Sequence, residues 1–260
     1  MNNHNNNKLI PLSILVAVTI VSFSFLYSRD FSLNIFKNNQ AESDKVTHIP
    51  PVNPDEPILG NPEAPILFVE YSDTESPFSS KFAEEREILI SIFAETGQIA
   101  WVYRPLPLIN DASFKKALAL ECVAEENKDY NFWNYLLEIQ DKNILKNESG
   151  EINTDLLLEP LEKRDLLTVN IVNCINEERY KDKITKNIKD AVDSGAERTP
   201  FTVILLSKEI TKSQKEKIMN EVINLPKEIL TVTDDAKRIL MNGKVPIENI
   251  KSIVEILIST

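Results

Sequence analysis

Glycine is scarce in this chain, with five residues in 260. A phosphate-cradling loop needs glycines in clusters, and neither G-x-x-x-x-G-K nor G-x-G-x-x-G occurs. Histidine is scarcer still. His4 and His48 both lie outside the region that reads as a folded domain. No imidazole is therefore on hand for a Ser-His-acid hydrolase or a histidine-bearing metal site, and no metal or other cofactor is expected. Positive charge is also short, with 29 basic against 40 acidic residues and a formal net charge of −11. Such a chain is not steered toward phosphate backbones, so nucleic acid is not an expected partner. Cysteine occurs only at positions 122 and 174. No internal repeat is visible.

What is present begins with residues 9–27, LIPLSILVAVTIVSFSFLY, an uncharged run between Lys8 and Arg29. A stretch of this length can just cross the hydrocarbon core as a helix. The rival reading is a cleaved signal peptide, but the run is longer than a usual signal core and no small-x-small site follows it. The expected plan is a short cytoplasmic tail over 1–8, a transmembrane anchor over 9–28, a linker over 29–57 and a folded domain over 58–260. Lys8 keeps the short tail inside, which leaves the bulk of the chain extracytoplasmic at the cell membrane, where disulfides persist. Pro50, Pro51, Pro54 and Pro57 favour an extended linker, with His48 as a solvated residue in it.

In the domain, residues 66–71, ILFVEY, read as a buried strand. Ser76 suits an N-cap and Pro77 the first helical position. Phe82, Ile88, Leu89, Ile92 and Phe93 recur at helical spacing, and Gly97 closes the helix. The next strand is 98–104, QIAWVYR. Strand, helix and strand with short joints predict a βαβ unit with parallel strands. A helical block spans about 112–194, with stripes through Phe114, Leu118 and Cys122, through Phe132, Trp133, Leu136 and Leu137, and through Tyr180, Ile184, Ile188 and Val192. Residues 143–154 read as a turn, and Gly195 as a C-cap. A strand at 201–206, a polar helix at 211–224, a strand near 237–242 and an amphipathic helix at 247–258 complete the order. The fold class is α/β, a sheet with a helical insertion.

This pattern resembles the DsbA-like branch of the thioredoxin fold. Gly60-Asn61-Pro62-Glu63-Ala64-Pro65 resembles the family's lead-in to its first core strand, and Val69-Glu70-Tyr71-Ser72-Asp73 that strand's end. Ser76-Pro77-Phe78-Ser79 aligns with the family's C-P-F-C. Val102-Tyr103-Arg104, Pro107-Leu108 and Phe132-Trp133 match further family positions. Gly195 through Thr199-Pro200 resembles G-x-x-G-T-P, with Arg198 in place of the second glycine. The likeness covers about 57–206, and the helix at 211–224 departs from the family's short hairpin. It implies a thioredoxin-like fold with an inserted helical domain, here preceded by one transmembrane helix.

The resemblance also implies an activity, protein disulfide oxidation, that these residues do not support. A helix N-terminus stabilises a thiolate, and the second cysteine resolves the mixed disulfide. A serine hydroxyl stays protonated at neutral pH and forms no disulfide. Without a nearby base Ser76 is an N-cap and not a nucleophile. The degenerate motif, Ser76, Pro77, Phe78 and Ser79, therefore supplies no catalytic residue. Thr199-Pro200 resembles the family's cis-proline, whose preceding backbone pairs with an extended peptide by strand addition, a contact that needs no thiol. Phe78, Thr199 and Pro200 are the candidate peptide-binding residues. A plain strand start at Pro200 is the other reading.

Cys122 and Cys174 resemble a second cysteine pair found in some relatives. A disulfide staple comes first among their readings, able to stabilise the fold by about 4 kcal/mol in the chain-entropy picture. Free buried thiols come second and a displaced redox centre third. The acidic pairs Glu84-Glu85, Glu125-Glu126 and Asp234-Asp235 read as solvated helix faces or caps, and Trp101 and Trp133 as core aromatics. The expectation is a redox-inactive, membrane-anchored, peptide-binding or chaperone-like module for extended or unfolded polypeptide. The alternatives are an oxidoreductase of the DsbA type acting through Cys122/Cys174 or with a partner, and a plain folded spacer.

Overall fold

The computed structural model describes residues 49–53, 55–93, 96–126, 130–140 and 155–259. The expected tail, the anchor, the linker up to His48 and the turn at 143–154 lie outside the described residues. No helix among the described residues is long and apolar enough to cross a membrane.

Among the described residues, six strands form one sheet in the order β1-β3-β2-β4-β6-β5. They are β1 (Ile58–Gly60), β2 (Ile66–Ser72), β3 (Ile99–Pro105), β4 (Phe201–Leu206), β5 (Leu230–Val232) and β6 (Arg238–Asn242). Only β2 and β3 run parallel, with Ile66 opposite Ile99 and Ser72 opposite Pro105. The crossover between them is α1 (Pro77–Phe93), as the short joints predict. β4 lies antiparallel to β2, with Tyr71 opposite Phe201. That register sets the start of β4 beside the end of β2, and so beside the loop that leads into α1.

The period-two alternation of the strands separates two cores. Ile66, Phe68, Trp101, Tyr103, Ile204, Ile239 and Met241 face a layer holding Phe82 and Leu89 of α1 and Ile250, Ile253 and Val254 of the closing helix α8 (Ile247–Ile258). Val69, Tyr71, Phe201, Val203 and Leu240 face the other way, onto Ala191 of α6 (Lys181–Asp193). The helical insertion consists of α2 (Asp111–Glu126), α3 (Tyr130–Gln140), α4 (Asp155–Glu162), α5 (Val169–Asn176) and α6. Its local signals are clear. Thr168 caps α5 by accepting from the Ile171 amide, and the Ala196 amide donates back to the Ala191 carbonyl as the chain turns through Gly195 after α6. Tyr135 Oη donates to the Leu157 carbonyl at 3.0 Å and ties α3 to α4. The expected polar helix is α7 (Lys212–Glu221), started by a capping box between Thr211 and Gln214.

Two strands were not expected. β1 and β5 hold three residues each at the sheet's two edges, too short to show alternation. Gly60 ends β1 at a place where a Cβ would sit 2.6 Å from the Ile99 carbonyl oxygen, so only glycine lets the strand lie this close to β3.

The end of the expected linker needs correction. Residues 49–53 and 55–57 are fixed to the domain and do not form a free tether. Ile49 and Val52 pack on the core that holds Tyr71, Leu106 and Phe201. Buried Arg104 donates to the carbonyls of Pro50 at 3.2 Å and Pro51 at 3.1 Å, and to both carboxylate oxygens of Glu56 at 2.6 and 3.0 Å. A fifth bond, 2.8 Å long, goes to Tyr71 Oη. Backbone carbonyls outside regular structure need donors, and Arg104 supplies them.

Candidate functional site

The site is built where β2 ends. Asp73, 1% exposed, organises two loops at once. Its Oδ1 accepts from the Glu75 amide at 2.9 Å, and its Oδ2 from the amides of Leu108 and Ile109 at 2.7 and 2.9 Å. The β2–α1 loop is thereby locked to the β3–α2 loop. Tyr103 Oη donates to the Ser72 carbonyl at 3.0 Å beside it. Burial, with Glu70 and Asp73 nearby, pushes the Tyr103 hydroxyl well above its ordinary pKa, so it stays a donor.

Ser76 stands at the start of α1 as its N-cap, its Oγ accepting from the Ser79 amide at 3.4 Å. Pro77 and Phe78 face solvent, and Phe78 is 62% exposed. Ser79 is fully buried, and its hydroxyl has no hydrogen-bond partner among the described residues.

The Thr199-Pro200 peptide bond is cis. Pro200 is buried at the start of β4, and its carbonyl accepts from the Gly243 amide at 2.8 Å. Asn242 holds the preceding loop from both sides, donating to the Gly195 carbonyl at 2.8 Å and accepting from the Glu197 amide at 2.9 Å. Among the described residues, neither the amide nor the carbonyl of Thr199 makes a hydrogen bond. The register of β2 against β4 brings this bare backbone to the same end of the sheet as Ser76 and Phe78.

Cys122 of α2 and Cys174 of α5 are joined as a disulfide, with Cα atoms 5.9 Å apart and both residues 0% exposed. The bond lies in the apolar core of the insertion, among Leu120, Val123 and Ile171, and not at the end of the sheet described above.

Sequence reasoning missed the charged pairs beneath the site. Glu70, in the middle of the apolar run of β2, meets Arg86 of α1 at 3.0 Å, both side chains 0% exposed. Trp101 Nε1 donates to the same Glu70 oxygen at 2.9 Å, and the Arg86 guanidinium lies 5.0 Å from the centre of the Trp133 ring. A glutamate inside ILFVEYS was the available signal. Lys116 of α2, 1% exposed, donates to the Ile139 carbonyl at 2.7 Å and meets Glu75 at 2.5 Å, one residue before the cap. Ser80 Oγ donates to the Gln140 carbonyl at 3.1 Å. These contacts seat the insertion against the start of α1. Among the described residues no group of three histidines, cysteines or carboxylates is placed to hold a metal.

The fold has solved counterparts. α-DsbA1 of Wolbachia pipientis is 18% identical with a TM-score of 0.60, the match covering 79% of this chain and 92% of that one. DsbA of Chlamydia trachomatis is 24% identical with a TM-score of 0.52, over 70% of this chain and 98% of that one. The catalytic domain of Proteus mirabilis ScsC is 16% identical with a TM-score of 0.51, over 80% and 92%. The Na(+)/H(+) antiporter NhaA 1 of Mycobacterium sp. (strain KMS) is 31% identical over 97 residues, which are 37% of this chain and 16% of that protein. A family model described as Thioredoxin matches residues 52–224. The chain belongs to the thioredoxin family, and its fold is DsbA-like.

Proposed function

We propose that this protein binds extended polypeptide at the end of the sheet where Ser76, Phe78 and Thr199-Pro200 gather, without dithiol chemistry of its own. The observation that carries the reading is the Thr199 backbone, free of hydrogen bonds among the described residues and at the same end of the sheet as an exposed Phe78. An unpaired amide and carbonyl on a rigid frame can add one strand of peptide, and an exposed aromatic supplies apolar contact that tolerates many sequences. Ser76 and Ser79 stand where the resemblance puts the family's sulfurs, so the peptide would be held and released with no covalent step. The oxidoreductase alternative would work with a partner or through Cys122 and Cys174, a disulfide whose residues are 0% exposed. Placement outside the cytoplasm at a membrane, through residues 9–28, belongs to the same proposal.

The test is binding of a permanently unfolded, cysteine-free polypeptide to the full chain, followed by fluorescence anisotropy. Saturable binding that weakens on Phe78→Ala supports the reading. Absence of binding by the wild-type chain would sink it.

A further inference from the structure

Position 198 is where the chain departs from the G-x-x-G-T-P pattern, and the structure gives the arginine found there a defined seat. It precedes Thr199 directly, in a loop that Asn242 pins at Gly195 and Glu197. Gly243 has φ +94°, and a Cβ built on it would lie 3.0 Å from Cδ and 3.5 Å from Cγ of Arg198. The bare glycine therefore leaves room for the aliphatic stem of Arg198, which lies across it. The guanidinium beyond that stem is 58% exposed and meets only the neighbouring Glu197 among the described residues, at 3.3 Å, with Glu197 itself 60% exposed. An ion pair this open contributes little and is readily exchanged for another carboxylate.

We infer that Arg198 selects for acidic segments of polypeptide, pairing with a carboxylate on the strand laid along Thr199. This rests on the peptide-binding reading above and adds to it the chemistry of the preferred ligand. The guanidinium is planar and presents parallel donors that a carboxylate accepts in pairs, which a lysine ammonium does not reproduce. The stem held on Gly243 reduces the freedom lost when the pair forms. A glycine at position 198 would offer none of this.

Two short, extended, cysteine-free peptides test the inference, one with glutamate at two alternate central positions and one with glutamine there. Each is titrated against the full chain by fluorescence anisotropy at low and high salt. The wild type should bind the glutamate peptide about two- to fivefold more tightly at low salt, with the ratio shrinking as salt screens the pair. Arg198→Ala should abolish the ratio while binding the glutamine peptide as the wild type does, and Arg198→Lys should keep part of it. An unchanged ratio in Arg198→Ala overturns the role of Arg198 and leaves the peptide site standing. If neither peptide binds the wild type, the peptide site itself fails, and the preference falls with it.

Discussion

The carboxylate of Glu70 in β2 and the guanidinium of Arg86, midway along α1, meet 3.0 Å apart, with neither side chain exposed. Removing one partner of a buried pair leaves the other uncompensated, at a cost of about 3–5 kcal/mol. Arg86→Met should therefore destabilise the protein by about that much in denaturant unfolding. Glu70→Gln added to it should recover a large part, because the glutamine oxygen still accepts from Trp101 Nε1 and no charge is left buried. A double variant as unstable as Arg86→Met alone would show that packing, not charge, sets the cost.

The disulfide between Cys122 and Cys174 closes a separation of 52 residues across α2 and α5. Cross-linking a loop of this size restricts the unfolded chain, and about 2–4 kcal/mol should be lost in the Cys122→Ala/Cys174→Ala variant. The loss is read as a lower denaturant midpoint. Binding of polypeptide at the other site should persist in that variant. A loss of binding with the fold intact would tie the disulfide to function and revive the oxidoreductase reading.

Ser76 caps α1, so a thiol at its place would sit at the positive end of the helix. In the Ser76→Cys/Ser79→Cys variant the first cysteine should titrate below the ordinary thiol value of about 8.5 and react faster with an alkylating agent near neutral pH. A titration at the ordinary value would mean that the cap does not present its side chain as described.

Glu121 of α2 is 6% exposed and meets Lys183 of α6 at 2.6 Å. Burial pushes its carboxyl above the ordinary 4.5, and Lys183 draws it part of the way back. A carboxyl raised in the folded state binds more protons there than in the unfolded chain. Stability from this group is thus greatest below 4.5 and declines as pH rises through the raised value. Unfolding midpoints measured across this range should show that slope in the wild type and lack it in Glu121→Gln. Parallel pH profiles for the two proteins would contradict the assignment.

The sequence made legible what local chemistry dictates. ILFVEY reads as a buried strand, Ser76-Pro77 as a helix start and Gly195 as a helix end. Those signals placed β2, α1, β3 and the insertion, while the nearness of Pro200 to Ser76 was only what the family resemblance implied. What stayed hidden depends on partners distant in sequence. β1 and β5 exist because neighbouring strands offer them edges. Pro50, Pro51 and Glu56 are docked because Arg104, 48 positions beyond Glu56, satisfies their carbonyls and carboxylate. Glu70 stands in an apolar run, but nothing local in the sequence names Arg86 as its partner. The free backbone at Thr199 has no sequence signature beyond the proline that follows it.

Hydrogen exchange at the Thr199 amide, with and without an unfolded, cysteine-free polypeptide at saturating concentration, tests the peptide site most directly. Exchange is expected to be fast in the protein alone and strongly slowed when polypeptide is bound. Polypeptide bound while Thr199 exchanges as fast as before would show that the contact lies elsewhere and that the backbone beside Pro200 is not the site.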